Sequence, residues 1–189
     1  APRHGAYDIR ITAELWETHY FDHVSLMVVD HPVGSDVFVD ERFSPVAPPA
    51  LKVHVVEDRR PVTHVRDHRG ADVASVVAAK DGRYLATFAR GRYQGIAEEH
   101  FVEFERDDRR ADVLLASGWI YPTDSSINVA IGQGGHVTPM GLALEAQRPD
   151  GGWRVVDANL GFPAGKNKTV VIDLAAAGDA RRLRLRTNL

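Results

Sequence analysis

Apolar and polar positions alternate with a period of two over many short stretches of this chain, and helical spacing is scarce. Residues 8–15 (DIRITAEL) set Ile9, Ile11, Ala13 and Leu15 against polar neighbours. Residues 23–29 (HVSLMVV) carry the pattern on through Val24, Leu26 and Val28. Successive side chains of an extended chain point to opposite faces, so such alternation predicts half-buried strands. The same reading predicts strands over 37–39, 51–56, 61–66, 100–105, 113–121, 127–131, 140–147, 152–156, 169–174 and 183–187. In 100–105 it places Phe101 and Glu103 on one face and His100, Val102 and Phe104 on the other.

Turn residues punctuate these stretches. Pro149-Asp150-Gly151 between two apolar runs predicts a hairpin. Pro45, Pro48 and Pro49 make 43–50 an extended loop, because proline has no N–H for a ladder bond. One short helix is expected over 72–80, with Asp72 as cap, Lys80 at the C-terminal end and Gly82 to end it. Residues 83–99 carry no legible period. Ten to twelve short strands with one short helix predict an all-β fold, an antiparallel β-sandwich or jelly-roll-like domain, rather than a parallel sheet needing crossover helices. At 189 residues the chain fits one such domain over 1–189, large enough to bury a core without disulfide or metal. The start at Ala1 and the ending RRLRLRTNL suggest an excised or processed module of a larger protein.

The chain has no cysteine, which excludes disulfides, thiolate metal sites and a cysteine nucleophile without fixing the compartment. Its formal net charge is -3, from 23 Lys and Arg against 26 Asp and Glu, interspersed along the sequence. No basic stripe speaks for nucleic acid. Arg182, Arg184 and Arg186 alternate with Leu183 and Leu185, which favours the solvent face of a strand over a phosphate-binding face. No apolar run reaches the ~20 residues of a membrane span, and APRHGAYDIR lacks the apolar centre of a signal peptide.

The densest set of groups able to bind something lies in 112–133, where two apolar runs flank a polar loop at Pro122–Ser126. Trp119, Tyr121, Asp124 and Ser125 are the contact candidates there, with Lys166, Asn167 and Lys168 in a second loop. Aromatic faces suit the apolar face of a sugar ring. Trp119 and Trp153, however, sit in apolar runs and are expected first as core anchors. Asp124, Ser125 and Ser126 lack the elbow motif of a serine nucleophile and read as turn residues. Residues 161–169 (GFPAGKNKT) resemble a phosphate-binding loop only superficially, since the glycine spacing is wrong and a strand follows.

Two histidine pairs at four-residue spacing, His19 with His23 and His64 with His68, suggest a transition-metal site, with Asp22 and Asp67 beside them. On a strand those positions share a face but stand ~13 Å apart, so one ion needs a bulge or turn between them. Oxygen ligands at Asp157 and Asn159 are compatible with calcium, though their spacing matches no complete loop motif.

Four segments taken together, ITAELWETHYFDHVSLMVVDHP, GWIYPTDSSINVAIGQ, DANLGFPAGKNKTVVIDL and RRLRLRTNL, resemble the C-terminal β-rich region of large bacterial proteins that carry FG-GAP propeller repeats and an ASPIC/UnbV segment. The resemblance runs from about residue 8 to 189; the propeller repeats and the ASPIC segment themselves have no counterpart. It implies an extracytoplasmic, multidomain setting and a terminal module that packs on or presents a propeller. It brings no catalytic residues. The first expectation is therefore a non-catalytic module of an exported bacterial protein, serving adhesion, assembly or carbohydrate or partner binding. Two alternatives stand beside it: a metal-dependent enzyme built on the histidines, and a structural subunit of an extracellular assembly that polymerises through its sheet edges.

Overall fold

A computed structural model describes residues 4–9, 11, 18, 20–44, 47, 49–106, 113–120, 125–135, 137–165 and 167–189. The chain divides into two units, Ala1–Asp30 and His31–Leu189. Most of the strand expected over 8–15 lies outside the described residues. Residues 23–29 are described and form no strand; Val24, Leu26 and Val28 are exposed. Alternation alone does not make a strand, because its N–H and C=O groups need a neighbouring edge.

The second unit holds nine strands among the described residues: β1 (Asp36–Val39), β2 (Val53–Val56), β3 (Thr63–Asp67), β4 (His100–Glu105), β5 (Val113–Gly118), β6 (Ala143–Gln147), β7 (Trp153–Asp157), β8 (Lys168–Asp173) and β9 (Arg182–Thr187). All strand pairs are antiparallel. The main sheet runs β3-β4-β9-β6-β7, while β5 pairs with β8 and β1 with β2. Val65, Phe104, Leu144, Ala146 and Leu183 of the main sheet join Val170 and Ile172 of β8 in one buried cluster. The result is the expected all-β, sandwich-like layering, with nine described strands instead of ten to twelve.

The expected period-two faces hold where burial is one-sided. In β4, His100 and Phe104 are buried on the core side, as the alternation required. In β9, Leu183 and Thr187 face in, while Arg182, Arg184 and Arg186 lie on the outer face with Phe101, Glu103, Glu145 and Trp153. That outer face is an ion-pair lattice and not a simply solvated one. Glu145, with its side chain 4% exposed, accepts from Arg184 and, at 3.0 Å, from Arg186. The Arg184 guanidinium lies 4.8 Å from the Phe101 ring and 4.4 Å from the Trp153 ring. Trp153 therefore packs on the outside of the sheet and is not a core anchor.

Three local readings are corrected. Residues 127–131 belong to α2 (Ser125–Gly134), a helix and not a strand, so there are two α-helices among the described residues. In an extended chain Ile127, Val129 and Ile131 would share a face; here Ile131 is buried and Val129 is 56% exposed. The i, i+4 relation of Ile127 and Ile131 is the one that fits the core. The helix expected over 72–80 is one turn, α1 (Ala74–Val77). Asp72 accepts the Ala74 amide at 2.9 Å, and Lys80 reaches Thr169 Oγ1 at 3.2 Å instead of capping a helix end. Finally, β3 carries a bulge between Thr63 and Arg66, where His64 adopts φ 50°. The bulge turns Val65 fully into the core and leaves His64 exposed.

Candidate functional site

Of the two candidate contact loops, Trp119 and Asn167–Lys168 are described, and they lie at one end of the β5–β8 pair. Gly118 at the end of β5 is in register with Lys168 at the start of β8. Trp119 follows directly and is 48% exposed, so it too is no core anchor. Asn167 is exposed and Lys168 half-buried beside it. Ser125 opens α2; Tyr121, Asp124 and Lys166 lie outside the described residues, as does the Ser125 side chain.

The loop leading to Asn167 is held by backbone contacts that its glycines make possible. The Ile120 amide donates to the Pro163 carbonyl at 3.0 Å, and Ile120 bridges Ala164 in parallel. Phe43 and Phe162 exchange two backbone hydrogen bonds, 2.8 and 3.0 Å, with ring centroids 5.3 Å apart. Gly161 has φ +72°, and a Cβ there would stand 2.5 Å from the Phe43 carbonyl oxygen. Glycine is required on both counts. Arg42 then fastens the loop to β8. It donates to the Leu160 carbonyl at 3.0 Å and to the Val171 carbonyl, while Asp40 holds its Nε at 2.6 Å.

Titratable side chains converge elsewhere, around Glu98. Its Oε1 accepts from the Ala89 amide at 2.8 Å and from Arg69 at 2.6 Å, and lies 3.1 Å from His68 Nε2. The Ala89 amide and the Arg69 guanidinium hold the Glu98 carboxyl down at about 2. His100 stacks on Phe88 at 4.0 Å, and its Nδ1 donates to the Glu98 carbonyl at 2.8 Å. Burial pushes the His100 imidazole below its ordinary value, and His68, with its ring centroid 6.2 Å away, pushes the same way. Asp67 is 2% exposed and accepts the Arg69 and Ala71 amides at 3.0 and 2.9 Å. Burial raises its carboxyl, but the nearby Thr87 hydroxyl and the two amides outweigh this and lower it. Thr87 Oγ1 and Asp67 Oδ2 still fall short of hydrogen-bond geometry, and with His68 Nδ1 they are buried and unpartnered.

A carboxylate fixed against an imidazole is an arrangement used in general-base catalysis. Here those three remaining polar atoms are closed to solvent while the Glu98 side chain is 39% exposed, and the cluster ties the end of β3 to the segment entering β4. It also makes stability sensitive to pH in one direction. His100 has a folded value below its ordinary 6.5, so the unfolded chain takes up that proton first and stability falls as pH drops below about 6.5. Glu98 and Asp67 are depressed below 4.5 and 3.8, so their contribution is lost on further acidification. Urea midpoints measured from pH 7.5 to 3 are expected to fall in two stages, and His100→Phe should remove the upper one. A midpoint flat between pH 7.5 and 5 would contradict the assignment.

Sequence reasoning singled out His68 and Asp67, as metal-site candidates, and missed Glu98 and His100. The available signal was His100 on the buried face of a strand, two residues from Glu98. Of the proposed metal ligands, His68 is taken by Glu98, His64 is exposed at the bulge, and His23 Nε2 lies 2.7 Å from Ser25 Oγ in the first unit. His19 lies outside the described residues. No group of three or more His, Asp or Glu able to hold a metal occurs among the described residues. Asp157 Oδ1 accepts the Asn159 amide at 2.8 Å, a local turn contact. No described helix is long and apolar enough to cross a membrane. No family model, curated protein or solved structure matches the chain.

Proposed function

We propose that the protein is a non-catalytic, β-sandwich interaction module of an exported bacterial protein, and that it binds carbohydrate through the Trp119 end of the β5–β8 pair. One observation carries this reading: an indole 48% exposed directly follows Gly118, which is paired with Lys168, so Trp119 lies at the same strand end as Asn167 and Lys168. An exposed apolar ring offers a stacking face, and the Asn167 amide at the same strand end a hydrogen-bonding group, which together suit a sugar ring. The surrounding loop is preorganised by Gly161, Arg42 and the Phe43–Phe162 pair, so little ordering is required on binding. The FG-GAP and ASPIC/UnbV resemblance gives the extracytoplasmic, multidomain setting in which such a module presents its loops.

The test is a glycan array probed with the wild-type protein and with Trp119→Ala. Trp119 lies outside the buried core cluster, so the variant should fold with at most a modest drop in melting midpoint. Its binding to the glycans recognised by the wild type should fall at least about tenfold, consistent with removal of an aromatic anchor. Equal binding by both proteins, or no glycan bound by the wild type, would contradict the reading.

A further inference from the structure

Residues 23–29 have the composition of a strand and no strand to join. Val24, Leu26, Met27 and Val28 are each more than half exposed, and residues 24–29 make no backbone hydrogen bond among the described residues. In an extended chain Val24, Leu26 and Val28 share one face, and Ser25, Met27 and Val29 the other. Proline and charge are absent from 24 to 29. A contiguous run of exposed apolar residues marks a surface that another surface covers. A segment with a period of two is covered on both faces when it joins a sheet, as a strand added to an open edge.

An edge suited to it lies in the second unit. β5 pairs with β8 on one side, and on the other has no strand partner among the described residues. Open edges are ordinarily guarded by charge, proline or a bulge. The other outer strands have such guards. β3 is bulged between Thr63 and Arg66, and Asp72 bridges Arg66. β7 carries Arg154 and Asp157 and lies against a register shift in β6. β1 begins at Asp36, which lies 3.4 Å from Arg59, and β2 follows Pro48, Pro49 and Lys52. β5 reads Val113-Leu114-Leu115-Ala116-Ser117-Gly118 and has none of these.

The two segments also match face for face. Leu114 and Ala116 pack against the core cluster, so Val113, Leu115 and Ser117 point the other way. The layer they belong to is narrow. The five-stranded sheet spans four strand spacings, roughly 19 Å, and the β5–β8 pair facing the same core spans one, about 5 Å. A strand added beside β5 widens that layer. Val24, Leu26 and Val28 then extend the core face next to Leu114 and Ala116, while Met27 and Val29 lie beside Val113 and Leu115 on the other face. A one-residue slip keeps apolar groups on both faces, because both segments are apolar on both faces.

We propose that residues 23–29 of one copy of this chain enter the β5 edge of a second copy as an added strand, so that copies associate by strand donation. Donor and acceptor are both present in every copy. Reciprocal donation closes a dimer, and successive donation builds an open chain of copies. The proposal does not rest on carbohydrate binding.

The chain has no cysteine, so single engineered cysteines report the pairing cleanly. Leu115→Cys is mixed with Met27→Cys or with Val29→Cys and oxidised with copper phenanthroline; all three positions fall on the face away from the core. At least one mixture should give a disulfide-linked heterodimer that neither variant forms alone. Sedimentation velocity of the wild type should show association that rises with concentration, whether it stops at a dimer or continues. Leu26→Asp places a charge on the face that enters the core and should weaken association at least about tenfold. Leu26 is exposed in the single copy, so this variant should keep the wild-type melting midpoint. Four results overturn the proposal: a wild type that stays monomeric at every concentration, association by Leu26→Asp equal to wild type, cross-linking of Leu115→Cys only to itself, which would mean that β5 pairs with β5, or closure of the double variant Met27→Cys with Leu115→Cys into a monomer with an internal disulfide.

Discussion

Glu145→Ala is expected to destabilise the protein by about 3 kcal/mol, among the largest effects available to a single substitution on the sheet. Glu145 sits on β6 with its side chain 4% exposed, between Arg184 at 18% and Arg186 at 25%. Removing the carboxylate leaves two guanidinium groups side by side along β9 with their shared counter-charge gone. Arg186 keeps Glu99 at 2.8 Å, but Arg184 is left with the faces of Phe101 and Trp153. Buried ion pairs contribute modestly as pairs and severely when one partner is lost, so the double variant Glu145→Leu with Arg184→Met should recover much of the loss. Urea unfolding of the two variants checks this. A single-variant loss below about 0.5 kcal/mol, within the range of ordinary surface changes, would mean that water screens the lattice.

Arg42→Met should cost a comparable amount, about 3 kcal/mol, for a different reason. Arg42 has its side chain 18% exposed and joins Asp40, itself 11% exposed, to the Leu160 and Val171 carbonyls. Methionine fills much of the space but leaves those two carbonyls without their donor and the Asp40 carboxylate without its cation. Arg42→Lys should recover only part of the stability, because an ammonium cannot reproduce the planar fork that reaches a carboxylate and two carbonyls together. The loop from Leu160 to Asn167 is tied down by the same side chain, so Arg42→Met should also weaken any ligand held at Trp119. Denaturation midpoints for both variants check the first claim; an Arg42→Lys midpoint equal to wild type would contradict it.

The parts of the fold legible in the sequence are those where one face of a strand is buried. HFVEFE and RLRLRT alternate cleanly because β4 and β9 are central strands with a core on one side and the ion-pair lattice on the other. The Pro149–Gly152 hairpin was legible because its turn chemistry is local: the Arg148 and Gly152 backbones close it at 2.7 Å. SSINVAIGQG was misread because Ile127, Val129 and Ile131 satisfy a strand period and Ile127 with Ile131 a helical one, and tertiary burial decides between them. HVSLMVV failed because its pattern carries no information about whether a partner edge exists. The contact end was half legible. Trp119 and Lys168 stood out as residue types, but their juxtaposition depends on the β5–β8 register, which joins positions 50 residues apart. The Glu98 cluster depends on the β3–β4 pairing in the same way.

Amide shift mapping with a mixed panel of soluble oligosaccharides tests the carbohydrate-binding reading most directly, since it reports both binding and place. Perturbations are expected at Gly118 to Ile120 and Asn167 to Thr169, and they should vanish in Trp119→Ala while the rest of the spectrum stays in register. A spectrum unmoved at those amides by every sugar in the panel, or movement there that survives Trp119→Ala, would contradict the assignment of that end as the binding surface.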